Sequence, residues 1–142
     1  MNKEQRQLLL QDLCARLPYG VIVDNPSPAG GAWDEVINID TSAKTVTLLY
    51  NGRVFSIDYV KPYLRPMSSM TEEEREEFYK ECEKDYKIAV NEANRSYKSK
   101  FDEYAPLLSS YNKHDWLNAN HFDYRGLIPM GLALEAPEGM YK

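Results

Sequence analysis

Along residues 3–16, KEQRQLLLQDLCAR, apolar side chains recur at helical spacing. Leu9, Leu13 and Leu17 share one face, and Leu10 and Cys14 widen it. Pro18 ends the run, because the residue before a proline is pushed out of the helical region. The pattern predicts a short amphipathic helix that must lie on something.

From Tyr19 the helical period vanishes. Tyr19–Asp24 is rich in β-formers, and NPSPAGG is composed almost wholly of turn residues. Trp33–Asp40 alternates, which places Trp33, Glu35, Ile37 and Ile39 on one side and Asp34, Val36, Asn38 and Asp40 on the other. Thr45–Tyr50 follows across the short turn TSAK. Asn51-Gly52 then sits between TVTLLY and RVFSID, a strong hairpin signal, since a type I′ turn needs positive φ at both central residues. Four strands of an antiparallel meander are expected, then a helical turn and a further short strand within Asp58–Leu64. Strands this short have an edge problem that curling or closure solves. The expectation is a small antiparallel curled sheet or an SH3-like barrel, with the N-terminal helix covering an open face or end.

Residues 68–104 change character again and read as one long charged helix. Ser69 with Glu72, or Thr71 with Glu74, forms a capping box. Five glutamates crowd Glu72–Glu77, at the positive end of the helix dipole. Tyr79, Cys82, Tyr86, Ala89 and Ala93, then Tyr97, Phe101 and Tyr104, recur in a heptad-like order. The seam lacks leucine, so two readings stand: the helix packs along its own chain, or it pairs with a second copy as a homodimer through the 70–104 helix.

The last segment contains a short helix over Asn112–His121 and then the apolar run GLIPMGLALEAP. Pro129 forbids a continuous helix there. Leu127, Ile128, Met130, Leu132 and Leu134 call for burial, which predicts a tail docked on the body. The division expected is 1–67 (helix plus small β-barrel or sheet), 68–105 (long helix) and 106–142 (helix and apolar tail). The fold class is α+β.

Composition narrows the chemistry. Of 142 residues, 43% are hydrophobic and 27% charged, a globular balance. Residues 70–104 hold seven basic against eleven acidic side chains, so the −5 net charge concentrates there. No segment is basic, and nucleic acid is an unlikely partner on that ground. Cys14 and Cys82 are too far apart for a CxxC motif. No stretch approaches eighteen apolar residues, and the N-terminus lacks a signal-peptide pattern, so no membrane association and a cytoplasmic location are expected.

Candidate sites are few. His114 and His121, with Asp115 and Asp123, are seven apart, about 10 Å along a helix, too far for one metal. No GxSxG or phosphate loop occurs, so neither a catalytic residue nor a cofactor is expected. Trp33, beside the glycine-rich loop, is readable as core or, with Tyr19, Tyr50 and Tyr59, as an aromatic platform for a peptide. Tyr86 and Tyr97 are candidates on the long helix. Arg125, following Asp123 and Tyr124, can fork a carboxylate and tie the tail to the body.

Three stretches, LLLQDLCARLPYGV, KPYLRPMSSMTEEE and DWLNANHFDYRGLIPMGLALEAPEGMYK, resemble small uncharacterised proteins of gut Bacteroidetes and their prophages and mobile elements. The resemblance implies no activity and no site residue. The expected function is a non-enzymatic protein-interaction module, an accessory protein of a mobile element. The alternatives are a nucleic-acid-associated protein using the barrel face and a small hydrolase around His114 and His121.

Overall fold

The computed structural model describes residues 1–27, 31–95 and 111–141, apart from the side chains of 89, 91–95 and 111. The chain forms two compact units, Met1–Met67 with His121–Lys142, and Ser68–Asn120. The segment 106–142 expected as one piece is therefore divided between them.

In the first unit, α1 spans Lys3–Arg16. Its start is fixed by a capping box in which Asn2 and Gln5 each accept from the other's backbone N–H. Four strands follow, β1 (Ile22–Asp24), β2 (Trp33–Asp40), β3 (Thr45–Leu48) and β4 (Val54–Ser56), in the antiparallel order β1-β2-β3-β4. Asn51 and Gly52 take φ of 60° and 59° at the β3–β4 turn, the left-handed pair the sequence predicts. At the β2–β3 turn the Asp40 carboxylate accepts from the N–H groups of Ser42 and Ala43.

The alternation expected for β2 fails in its middle. Val36 pairs with Leu48 but Asn38 pairs with Thr47, so Ile37 is an extra residue in a β-bulge. The bulge changes the parity. Val36 before it and Ile39 after it both turn to the core, while Trp33 and Ile37 face outward. Trp33 is thus not a core residue.

The sheet stays open, and the SH3-like barrel does not form. Closure needs a strand to bridge the ends of the meander. Instead the free side of β1 takes Lys61–Pro62, through Asp24 N–H donating to Lys61 O and a Val23–Pro62 bridge. The next strand, β5 (Tyr63–Leu64), pairs in parallel with β6 (Leu134–Glu135) from the tail. Arg65 then exchanges hydrogen bonds with His121 and Asp123. The tail pairs with β5 and not with an edge of the four-stranded sheet.

One core joins these parts: Leu9, Leu10 and Leu13 of α1, Val23, Val36, Val46 and Leu48 of the sheet, Ile57, Val60 and Leu64, and Leu127, Leu132 and Ala133 of the tail. Each fully buried aliphatic side chain contributes about 1.5–3 kcal/mol relative to exposure. The tail is docked as expected, with the exception of Met130, which remains exposed. Gly126 (φ 75°) makes the turn that swings Leu127 inward, a conformation a β-carbon disfavours.

In the second unit, α2 spans Glu72–Arg95 and α3 spans Tyr111–Ala119. The capping box at α2 uses Thr71 and Glu74, at 3.1 and 3.2 Å. The further run expected to 104, Tyr97 included, lies outside the described residues. α3 is tied to α2 by Asp85, which is buried and accepts from the N–H groups of Asn112 and Lys113 at 3.2 and 3.0 Å. A carboxylate on one helix thus satisfies the orphan donors at the start of the other. Phe78 and Trp116 pack with ring centroids 5.5 Å apart.

Candidate functional site

The outer face of the meander follows from its register. Asp24 lies directly across from Trp33, and Ile22 across from Glu35. Val23 and Val36, on the opposite parity, are buried. Trp33, Asp24 and Glu35 therefore share the outward side. Beyond the bulge come the exposed Ile37 and Val54, the latter paired to Thr47, and Leu49 follows β3 in the turn, its N–H donating to the Glu35 carbonyl. Trp33 is 50% exposed, Ile37 49%, Leu49 59% and Val54 60%. Exposed apolar side chains scattered singly need no explanation, whereas several on one side of a sheet call for one.

Trp33 is not isolated. Its ring stands edge-on to Tyr63, with centroids 6.2 Å apart and planes at 82°. Burial, and then the charge of Asp24, push the Tyr63 phenol above its ordinary value, so Asp24 acts at the same corner. Among the described residues neither the Asp24 nor the Glu35 carboxylate has a hydrogen-bond or ion-pair partner.

The aromatic platform expected from sequence groups Trp33 with Tyr19, Tyr50 and Tyr59. Tyr50 and Tyr59 are exposed, but among the described residues no ring contact joins either to Trp33. Tyr50 sits in the β3–β4 turn, its N–H donating to Asp34. Tyr59 ends the short turn Ile57–Tyr59. Tyr63, which the sequence reading passed over, is the partner of Trp33. Its signal was the strand following the Asp58 turn, whose position across the sheet no local pattern discloses.

No protein-family model, curated protein or solved structure matches the chain.

Arg125 belongs to a second cluster in the same unit. Its guanidinium donates to Asp12 Oδ1 at 2.8 Å, and Arg16 Nε donates to Asp12 Oδ2 at 2.8 Å. Arg16 Nη2 donates to the Phe122 carbonyl at 2.6 Å, while Arg16 Nη1 is buried with no hydrogen-bond partner among the described residues. Both guanidiniums lie against Tyr124, at 5.3 Å for Arg16 and 4.7 Å for Arg125. His121 stacks on Tyr141, with centroids 3.6 Å apart. Burial, then the charges of Arg16 and Arg65, lower the His121 imidazole from 6.5 to about 4, so it is neutral near pH 7. Burial raises the Tyr141 phenol to about 12, and its hydroxyl donates to the Tyr63 carbonyl. Asp123 accepts from Leu127 and Ile128 N–H. Most polar atoms here are consumed in closing the tail onto α1 and β5.

His121 is enclosed by aromatic and cationic neighbours, and His114 lies on α3 in the second unit. Among the described residues no three His, Cys, Asp or Glu side chains are grouped to hold a metal. Cys14 and Cys82 are free thiols, and desolvation pushes both above the ordinary value, which disfavours a thiolate nucleophile. An open depression of about 510 Å³ along α1 is lined by Lys3, Glu4, Gln7, Leu8, Gln11 and Lys44, with no serine, threonine, cysteine or histidine among them. No helix among the described residues is long and apolar enough to cross a membrane.

Proposed function

We propose that this protein is a non-enzymatic protein-interaction module that docks a partner on the outer face of its four-stranded sheet. The observation that carries the reading is the exposed group Trp33, Ile37, Leu49 and Val54, opposite a fully packed inner face. Interface cores favour such aromatic and aliphatic anchors. The resemblance to small proteins of Bacteroidetes prophages and mobile elements supports an accessory role in such an element. The test is retention of host proteins by the wild-type chain and by an Ile37→Asp/Val54→Asp variant. A partner held by the first and lost from the second supports the reading. Equal retention by both sinks it.

A second surface supports a homodimer. On α2, Tyr79, Tyr86 and Val90 are exposed, while Phe78 and Asp85 are engaged with α3. At 100° per residue the two sets lie about a third of a turn apart. Alanine at Tyr86 and Tyr97 lowers the mass seen by light scattering if this stripe joins two copies. An unchanged monomer mass in wild type and variant ends the idea.

A further inference from the structure

We infer that the corner formed by Trp33, Tyr63, Asp24 and Glu35 is a receptor for one cationic side chain, lysine, methylated lysine or arginine, carried by the docked partner. This rests on the reading of the outer sheet face as the docking surface, and it names the chemistry of what docks there.

Three independent features converge. First, the two rings are nearly perpendicular at 6.2 Å, so they form two walls of a corner, and Trp33 keeps half its surface open. An indole face is the strongest side-chain site for a cation, and groups of aromatic rings enclose organic ammonium ions. Second, the carboxylates sit where that charge would lie. Asp24 is directly across the strand pair from Trp33, a position whose β-carbons are about 5 Å apart. Glu35 is two residues along β2, on the same face. Third, the described residues supply no counter-charge. Both acids are exposed, and among the described residues neither is paired, whereas Asp58, Asp12 and Asp85 are all engaged. Two unpaired acids beside an open indole leave the corner negative and hydrophobic together.

The occupant is a side chain of a protein rather than a metal ion. Two carboxylates on exposed strand positions are not a closed ligand set, and the rings offer faces, not donor atoms. Ile37, Leu49 and Val54 are also exposed, so an extended segment that places its cation at Trp33 has apolar side chains of the sheet to meet.

The test uses the full chain and short alanine-based peptides carrying a single arginine, lysine, trimethyllysine, norleucine or glutamate. The readout is the Trp33 indole N–H signal in NMR spectra, assigned by comparison with Trp116→Phe. Cationic peptides are expected to shift that signal and to bind at least about tenfold more tightly than the norleucine peptide. Asp24→Asn/Glu35→Gln, a change of exposed acids to near-isosteres, is expected to reduce the cationic peptides to the norleucine level. Trp33→Leu, which keeps apolar bulk, is expected to do the same, followed through the backbone amides of Glu35 and Tyr63. Preference for trimethyllysine over arginine identifies a ring-dominated corner, and the reverse a carboxylate-dominated one; both support the assignment. If norleucine binds as tightly as arginine, the cation receptor fails while apolar docking on the sheet stands. If no peptide moves Trp33 at about 10 mM, the receptor fails, and the Ile37/Val54 experiment decides the surface separately.

Discussion

Asp12 and Arg125, 113 residues apart in sequence, form a 2.8 Å ion pair that ties the first helix to the C-terminal tail. Asp12 is fully buried and shares its second oxygen with Arg16, itself almost fully buried. Removing the carboxylate leaves a buried guanidinium without its counter-charge. Asp12→Ala is therefore expected to cost about 3–5 kcal/mol in urea unfolding. Arg125→Ala, whose site is partly open to water, is expected to cost about 2 kcal/mol. Equal, sub-kilocalorie effects would remove the pair from the stability of the fold.

The tail also completes the core. Leu127 has no exposed surface. Leu127→Ala is expected to destabilise the first unit by about 2–5 kcal/mol through lost transfer and the cavity left behind. Deleting residues 126–142 removes Leu132 and Ala133 as well and strips β5 of its partner strand. The truncated chain is expected to lose its cooperative transition; an unchanged midpoint contradicts the docking.

His121 gives a pH signature. Its folded value, about 4, lies below the ordinary 6.5, so the unfolded chain binds the proton more readily between the two. Its contribution is present above pH 6.5, declines as pH falls, and is lost by about 4. The cause is burial against Tyr141, then the charges of Arg16 and Arg65. His121→Gln is expected to flatten the stability profile across that window relative to wild type. Parallel profiles for the two proteins would show that the imidazole is not the titrating group.

Asp85 predicts a local effect in the second unit. It caps the N-terminus of α3 through two backbone amides. Asp85→Ala is expected to cost about 1–2 kcal/mol. Hydrogen exchange at Asn112 and Lys113 should accelerate most, since those donors lose their acceptor. Exchange that is unaltered there, with the helix intact, would mean water replaces the cap without loss.

Trp33 separates surface from core. Trp33→Ala is expected to change stability by less than about 1 kcal/mol, whereas Val36→Ala, three residues on and buried, should cost more. A large loss at Trp33 would make it a packing residue after all.

Periodicity disclosed α1, the meander with its Asn51-Gly52 turn, the start of α2 at Thr71 and the apolar demand of the tail. These are local: hydrogen bonds within a few residues, a positive φ, a cap. Two features of the same segments escaped. Asp12 and Arg16 look like the polar side of α1, yet both are buried, because Arg125 and the Phe122 carbonyl reach them from the far end of the chain. Trp33 shares simple alternation with Ile39, yet the bulge at Ile37 puts them on opposite faces.

By itself, then, the sequence determined which segments are helix, strand or turn, because those choices are settled by neighbours along the chain. Tertiary structure alone decided that the sheet stays open, that the tail pairs with β5, and that Tyr63 meets Trp33 beside Asp24. Those outcomes depend on which distant segment supplies the missing backbone partner or counter-charge. An unpaired strand edge or a buried ion specifies that a partner is required, but not where in the chain it lies.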